Sequence, residues 1–217
     1  MGLVIKLVRH CESEANTGKV NAHEVGDHAI PLSPHGQGHA REVGRALGRE
    51  YVAGSLLYAS PYKRTRETLS GILEGCGLTL DDVAGSYEDP RLREVEHGYE
   101  PIESQAELRR THGWFYYRFR GGESPADCYD RTSSFLESMM RQVERKDTER
   151  VLIVTHGLAV RCFMMRFLHL SVEQFDSLAN PHNGAIITLA DKTTLVDPIF
   201  TNDYWGVSGL TLRVGDD

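Results

Sequence analysis

The sequence predicts an α/β fold, a three-layer sandwich with a mostly parallel central sheet, helices on both faces and an inserted lid. Three short apolar runs, residues 3–10, 56–60 and 151–155, have the composition of buried strands. A helical or polar segment follows each run, and strands that alternate with helices are typical of a mostly parallel sheet. Because no linker divides the 217 residues into two cores, we expect one domain over residues 1–217.

The first half of the chain has clear signals for the starts of helices. Ser33 and the proline after it form an N-cap and a first helical position, so a helix is predicted over residues 34–51. After the strand at 56–60, a second helix is predicted over residues 61–73, with a proline again at its first position. Residues 81–87 are interpreted as a further strand.

Residues 95–123 are the least regular part of the chain, and we interpret them as the inserted lid. The segment is rich in glycine and contains the aromatic run Trp114–Tyr117, within a helix predicted near residues 104–117. The aromatic rings could stack on a substrate, but packing in the core of the lid is the favoured interpretation.

The chain after the lid returns to alternating helices and strands. The predicted elements, in chain order, are a helix at 125–145, the strand at 151–155 and helices at 158–168 and 172–178. Two final strands, residues 185–190 and 193–196, are predicted to pair around the turn Asp191-Lys192. Pro198 would stop the second of them.

Composition and charge indicate a globular protein with an acidic surface. The net charge is −7, so the surface repels nucleic acid on average and we expect no nucleic-acid partner. The four cysteines form no C-x-x-C pair, which favours free thiols in a reducing cytoplasm. The sequence has neither a signal-peptide pattern nor an apolar stretch that could span a bilayer, so we expect a cytoplasmic protein without a membrane partner.

Several catalytic motifs are absent from the sequence. No cysteine precedes an arginine by six residues, the spacing of a cysteine-phosphatase loop, and there is no G-x-x-x-x-G-K, G-x-S-x-G or H-E-x-x-H motif. His35 and His39 lie four residues apart on a predicted helix and could share one face as metal ligands, but a third ligand is not evident. We therefore expect neither a metal nor another cofactor.

Cationic side chains follow the three strand-like runs. Arg9 and His10 end the first run, Arg64 lies one turn into the helix after the second, and His156-Gly157 follows the third. In open α/β sheets, ligands collect at the carboxyl ends of the strands, and helix N-termini favour anions. The sequence therefore predicts an anion-binding pocket, and phosphate is the most common such anion.

Histidine with arginines around it suits transfer of a phosphoryl group. A neutral imidazole can accept the group covalently if its other nitrogen donates to a carbonyl or carboxylate. Fixed cations stabilise the charge on the transferring group, and Arg9, Arg64 and a protonated His156 are suitable. A leaving alkoxide also needs an acid nearby.

Four motifs follow one another along the chain: R-H-C-E-S-E-A-N at 9–16, S-P-Y-K-R at 60–64, L-R-E at 92–94 and T-H-G at 155–157. Together they resemble the motifs of the histidine phosphatase superfamily, on its phosphoglycerate mutase-like branch. The resemblance implies that His10 is the phosphorylated nucleophile and that Glu94 is the proton donor and then the base that activates water. It implies a pocket for the phosphoryl group formed by Arg9, Asn16, Arg64, His156 and the backbone of Gly157.

Two points of the resemblance leave alternatives open. Glu96 and Glu100 lie close to Glu94, so the three carboxylates could form a solvated acidic face. Cys11 stands where the family usually has glycine, which costs about 1–2 kcal/mol if the position needs a positive φ and almost nothing if the backbone is extended. The thiol is interpreted as a packing group, although nearby cations could lower its pKa.

The favoured function is a metal-independent phosphomonoester hydrolase that acts through a covalent phosphohistidine at His10. Its substrate would be a phosphorylated small molecule or a phosphopeptide, and the sequence makes no prediction of oligomeric state. A cofactor-dependent phosphoglycerate mutase is the first alternative, but the residues at 94–99, E-V-E-H-G-Y, lack the arginine of the E-R-H-Y-G motif of the mutases. The second alternative is a regulatory protein that binds phosphate without turnover.

Overall fold

The computed structural model describes residues 2–213, apart from the side chains of Ala22 and His23. The strands are β1 (Val4–Arg9), β2 (Leu56–Ala59), β3 (Gly85–Glu88), β4 (Arg150–Thr155), β5 (Ile186–Asp191), β6 (Phe200–Thr201) and β7 (Trp205–Ser208). The α-helices are α1 (Ala22–Val25), α2 (Pro34–Leu47), α3 (Arg49–Ala53), α4 (Lys63–Cys76), α5 (Ala106–His112), α6 (Pro125–Lys146), α7 (Gly157–Leu168) and α8 (Val172–Ser177). Over the described residues, none of the helices combines the length and apolar composition that crossing a bilayer requires.

The described strands form one mixed sheet in the order β3-β2-β4-β1-β5-β7-β6. The first four of these strands are parallel, and β5, β7 and β6 are antiparallel to their neighbours. In the central pair, Arg9 of β1 lies opposite Thr155 of β4. The residues that follow, His10 and His156, therefore leave the sheet at the same edge.

Alternate residues of the central strands face two separate cores, which confirms the three-layer architecture. Ile5 and Leu7 of β1 pack in the core that contains α6, α7 and α8, whereas Val8 packs in the core that contains α2, α3 and α4. Successive side chains of a strand point to opposite faces of the sheet, so one apolar run supplies both cores. This is why the three predicted strands are mostly apolar instead of alternating.

The predicted strand at 193–196 is wrong. The Asp191 carboxylate accepts a hydrogen bond of 2.9 Å from the Thr193 N–H, and the chain makes a 3-10 turn over Lys192–Thr194. The strand that pairs antiparallel with β5 on the side away from β1 is β7, a dozen residues later. The Asp-Lys pair was thus identified correctly as a turn, but an Asx-type turn does not return the chain directly into a hairpin.

Three helix boundaries also differ from the prediction. Gly48, with φ of 83°, breaks the helix predicted over 34–51 into α2 and α3. The helix predicted from Pro61 begins at Lys63, which places Arg64 in its first turn. The lid helix ends at His112 instead of residue 117 because Gly113 adopts φ of 82°, a left-handed conformation that favours glycine.

The aromatic side chains of the lid pack in the main core, as the favoured interpretation predicted. Phe115, Tyr117 and Phe119 are buried in the same cluster as the side chains of α6 and α7, whereas Tyr116 is exposed. The large apolar rings therefore anchor the lid to the sheet layer beneath it.

An ion network closes the base of the lid. The Glu123 carboxylate accepts from Arg93, which precedes the lid, and from Arg131 of α6 at 3.0 Å. The Glu123 N–H donates to the carbonyl of Glu96 at 2.8 Å, and Arg131 donates to the carbonyl of Arg91 at 2.6 Å. The two ends of the lid are thus joined through one carboxylate.

We predict that Glu123→Gln lowers the free energy of unfolding by about 2–4 kcal/mol, because it leaves Arg131 as a buried cation without its carboxylate. The Arg131 and Glu123 side chains are only 10% and 13% exposed. Urea denaturation measures the effect. Glu100→Gln is the control: it breaks an exposed pair with Arg120 and should cost at most about 1 kcal/mol. Equal losses for the two variants would contradict the importance of the network.

Candidate active site

The three predicted strand ends meet at one edge of the sheet. The N–H of His10 donates to the Thr155 carbonyl at 2.9 Å, and the N–H of Ser60 donates to the Val154 carbonyl at 3.0 Å. The rings of His10 and His156 lie with their centroids 5.2 Å apart. The backbone pairing of the sheet therefore places both imidazoles in one cluster.

The His10 imidazole is buried, oriented and neutral. Its Nδ1 lies 2.8 Å from the Cys11 carbonyl, which requires a proton on Nδ1 and leaves a lone pair on Nε2. The Nε of Arg64 donates to that Nε2 at 3.2 Å. Burial, and then the charge of Arg64, lower the pKa of His10 to about 3. His10 therefore meets the predicted requirements for a nucleophile.

Arg64 lies at the centre of the cluster. Its guanidinium is buried, and Nη2 contacts Nδ1 of His156 at 3.2 Å. Asp27, in the loop before α2, binds the other side of the guanidinium: its Oδ1 and Oδ2 accept from Nη1 and Nη2 at 2.9 and 3.0 Å. The Asp27 carbonyl also accepts from Nη1 at 2.7 Å.

His156 is neutral, so the prediction of a protonated His156 is wrong for this state. Its Nε2 lies 2.9 Å from the Ser60 hydroxyl oxygen, and its Nδ1 accepts from Arg64. Burial, and then the charge of Arg64, hold the pKa of His156 well below its ordinary value. The imidazole therefore orients Arg64 by accepting its hydrogen bond and adds no second positive charge to the cluster.

Arg9 and Glu94 lie beside this cluster. Arg9 donates from Nη1 to the Pro181 carbonyl at 2.6 Å, while its Nε is buried without a hydrogen-bond partner among the described residues. Burial lowers the pKa of Arg9, and the charge of Glu94 opposes that effect. The loop that carries Glu94 is tied to the end of β4, because the Thr155 hydroxyl donates to the Leu92 carbonyl at 2.7 Å.

Asn16 lies at the exposed rim of the site. Its Oδ1 accepts from the N–H and hydroxyl of Ser13 at 3.0 and 2.9 Å, and from Nδ2 of Asn183 at 3.3 Å. Asn183 also donates to the His10 carbonyl at 2.9 Å. These bonds fix the carbonyl end of the Asn16 amide and link the rim to the nucleophile.

Gly157 is the first residue of α7, and His156 forms no side-chain cap there. The first N–H groups of this helix therefore begin within the cluster, where they favour an anion. A Cβ on Gly157 would lie 2.1 Å from Oδ1 of Asn180, so glycine is required by close approach and not by a positive φ.

Asp27 and Asn183 were not predicted from the sequence. Asp27 contacts Arg64 across 37 positions of the chain, and Asn183 contacts His10 across 173. Asp27 follows Gly26, which adopts φ of 78°, so glycine before a carboxylate was the one local signal of an unusual turn. Neither residue belongs to a motif that identifies it.

Cys11 is a packing residue, as interpreted from the sequence. Its backbone φ is not positive, so a cysteine in place of the family's usual glycine causes no backbone strain here. The Cys11 side chain is fully buried, and the backbone N–H of Cys11 donates to the Thr68 hydroxyl at 3.0 Å. Burial raises the pKa of the thiol to about 12, which contradicts the alternative of a pKa lowered by nearby cations.

Two other places carry no comparable chemistry. Among the described residues, no three His, Cys, Asp or Glu side chains form a group that could hold a metal ion, and His35 contacts Glu12 at 3.6 Å. A cavity of about 530 Å³ lies at the opposite edge of the sheet, where β1 and β4 begin. Its polar side chains are engaged: Arg150 pairs with Glu50 at 2.9 Å, and Lys6 lies over the Tyr51 ring.

Comparison with known proteins relates the chain to one family. The family model described as histidine phosphatase superfamily (branch 1) matches residues 5–194. The chain is 39% identical over 197 residues to phosphoglycerate mutase-like protein AT74H of Arabidopsis thaliana, covering 81% of this chain and 69% of that protein. It is 38% identical to the related protein AT74, of which it spans 63%. It is 28% identical to the broad-range acid phosphatase DET1 of Saccharomyces cerevisiae, covering 86% of this chain and 84% of that protein.

Solved structures share the fold. A protein described as mycobacterial hydrolase 1 matches with a TM-score of 0.71 at 19% identity, covering 100% of this chain and 99% of the other. A mycobacterial glucosyl-3-phosphoglycerate phosphatase matches with a TM-score of 0.65 at 20% identity, covering 86% and 89%. The YhfR protein of Bacillus stearothermophilus matches with a TM-score of 0.66 at 26% identity, covering 87% and 91%.

We predict that Cys11 resists alkylation by iodoacetamide in the folded protein at pH 8. With a pKa of about 12, only about one thiol in ten thousand is ionised at that pH, and the side chain is buried. Cys76, which is partly exposed, is the matched control and should react first. Mass spectrometry of peptides measures both rates, and unfolding in urea should make all four cysteines reactive. Alkylation of Cys11 as fast as that of Cys76 would contradict the packing role.

Proposed function

The chain belongs to branch 1 of the histidine phosphatase superfamily and is an enzyme of that family, and we propose that it is a metal-independent phosphomonoester hydrolase. The proposed reaction proceeds through a covalent phosphohistidine at His10. One observation carries the proposal: His10 is a buried, neutral imidazole whose Nδ1–H is fixed by a carbonyl and whose Nε2 lone pair faces the Arg64 guanidinium. This is the protonation state that nucleophilic attack on phosphorus requires. The lone pair becomes free to attack when Nε of Arg64 exchanges its hydrogen bond to Nε2 for one to a phosphoryl oxygen.

The first proposed step transfers the phosphoryl group to the enzyme. Nε2 of His10 attacks phosphorus, the bond from phosphorus to the ester oxygen breaks, and Glu94 gives a proton to the leaving alkoxide. Arg64 and Arg9 donate to the equatorial oxygens, and one such arginine is worth on the order of a thousandfold or more in rate. The unpartnered Nε of Arg9 supports this role, because a phosphoryl oxygen would satisfy a buried donor.

The second proposed step releases phosphate. Glu94, now a carboxylate, takes a proton from water as the water attacks phosphorus, and the bond to Nε2 of His10 breaks. Asn16 and the Gly157 N–H would complete the pocket for the phosphoryl oxygens. His156 has an orienting role in this proposal, since its Nδ1 accepts from Nη2 of Arg64.

Hydrolysis is favoured over mutase activity by the state of the lid. Two of the four lid arginines are occupied at the surface: Arg118 pairs with Asp127, and Arg120 pairs with Glu100 at 3.2 Å. Their side chains are 65% and 62% exposed, which is typical of a solvated face. The relatives include a protein named a broad-range acid phosphatase, which supports a phosphorylated small molecule or phosphopeptide as the substrate.

We predict that the wild-type protein hydrolyses p-nitrophenyl phosphate in the presence of a chelator and that His10→Ala lowers kcat/KM by about a thousandfold or more, because the nucleophile is lost. His35→Ala, at an exposed histidine, is the control and should behave as wild type. Full activity of His10→Ala would remove the proposal, and an inactive wild type would favour the non-catalytic alternative. Interconversion of 3- and 2-phosphoglycerate on addition of 2,3-bisphosphoglycerate would instead favour a mutase.

We predict that Glu94→Gln affects poor leaving groups most, because an activated ester needs little protonation. The expected loss in kcat/KM is about a hundredfold for an alkyl phosphate and under about tenfold for p-nitrophenyl phosphate. The ratio kcat/KM is measured because it reports the first step. Glu96→Gln and Glu100→Gln are matched controls. Equal losses of kcat/KM on both esters would show that Glu94 is not the acid. A loss confined to the alkyl phosphate in one of the controls would assign the acid to that control residue.

A further inference from the structure

Every N–H donor of the Arg64 guanidinium is engaged within the protein. A guanidinium has five N–H donors. Nε donates to Nε2 of His10, and Nη2 donates to Nδ1 of His156 and Oδ2 of Asp27. Nη1 donates to the carbonyl and to Oδ1 of Asp27. Asp27 thus takes three of the five, and no donor remains for a phosphoryl oxygen.

Of the three partners, Asp27 is the one that can move away without displacing the end of a strand. The two imidazoles are buried at strand ends, and the backbone of His10 is held by the sheet. The Asp27 side chain is 40% exposed and lies in a single 3-10 turn, Asp27–Ala29. A rotation of this side chain frees two donors of the guanidinium without breaking the sheet.

We propose that the Asp27 carboxylate is an intramolecular mimic of the phosphoryl group, which occupies the Arg64 guanidinium at rest and which substrate must displace. This inference rests on the proposed function for the identity of the site. A carboxylate and a phosphoryl group both present paired oxygens to the N–H edge of the planar guanidinium, so they compete for the same two nitrogens.

Two physical consequences follow from this competition. At rest, the carboxylate compensates a cation that would otherwise be buried without a countercharge, which is costly. During turnover, a dianionic phosphoryl group displaces a monoanion, and the returning carboxylate helps to expel product phosphate. An intramolecular competitor lowers the apparent affinity for every phosphoryl ligand by the same factor, the ratio of closed to open states.

The test measures binding of inorganic phosphate and orthovanadate to the full chain by isothermal titration calorimetry. Asp27→Asn and Asp27→Ala should bind both anions about tenfold more tightly than wild type, with the same factor for each anion. The inhibition constant of phosphate against p-nitrophenyl phosphate should fall by that factor too.

Glu96→Gln is the matched control for loss of a nearby negative charge. Asp27 and Glu96 both act on the Tyr62 hydroxyl, whose pKa burial raises, but only Asp27 contacts Arg64. The control should change the affinity for phosphate by less than about twofold. An equal gain in Glu96→Gln would overturn the proposal, because the effect would then be that of the general field.

Unchanged or weaker binding in the Asp27 variants would also overturn the proposal, since Asp27 would then serve to orient Arg64. These outcomes are separate from the failure of the proposed function. If His10→Ala retains full hydrolysis while the Asp27 variants bind phosphate more tightly, the displacement by phosphate stands and the reaction assignment falls. If hydrolysis depends on His10 and the Asp27 variants bind phosphate no more tightly than wild type, the reaction assignment stands and the displacement of Asp27 by phosphate falls.

Discussion

The buried guanidinium of Arg64 is the group on which the rest of the site depends. It joins the ends of β1 and β4 through His10 and His156, and it joins both to the loop before α2 through Asp27. A cation taken out of water needs partners, and an unpaired one costs several kcal/mol. The folded chain supplies one carboxylate and two imidazoles, so this arginine fixes the arrangement of three segments that are far apart in sequence.

The same cation sets the protonation state of both histidines. Burial is the largest cause and the charge of Arg64 the second, and together they keep both imidazoles neutral. The folded chain therefore binds these protons less readily than the unfolded chain does. For His10, stability is greatest above the ordinary histidine pKa of 6.5 and declines as the pH falls toward the folded-state pKa of about 3. The state that makes His10 a nucleophile is thus linked to the stability of the fold.

The sequence predicted the parts of the fold and of the site that depend on local patterns. The apolar runs that became β1, β2 and β4 identified the central sheet, and the polar residues after them marked its functional edge. The strand β7 could not be predicted, because Trp205–Ser208 is specified by its pairing with β5 and not by its own composition. Asp27 and Asn183 could not be predicted for the same reason: each acts through a partner that only the tertiary structure brings near. The neutrality of His156 depends on complete burial, which no local pattern reveals.

The contacts around the site separate groups that are held firmly from one that is not. The segment that carries Glu94 is fixed by hydrogen bonds to the carbonyls of Arg91 and Leu92 and by the base of the lid. The His10 backbone is fixed by the sheet. A nucleophile and an acid must keep their geometry within a fraction of an ångström, because small misplacement costs large factors in rate. Asp27 has no such requirement, since a resting counter-anion acts through its charge and must leave when a phosphoryl group arrives. A site in which two groups react and a third must leave needs this difference: His10 and Glu94 lie on fixed segments, and the Asp27 side chain is free to rotate away.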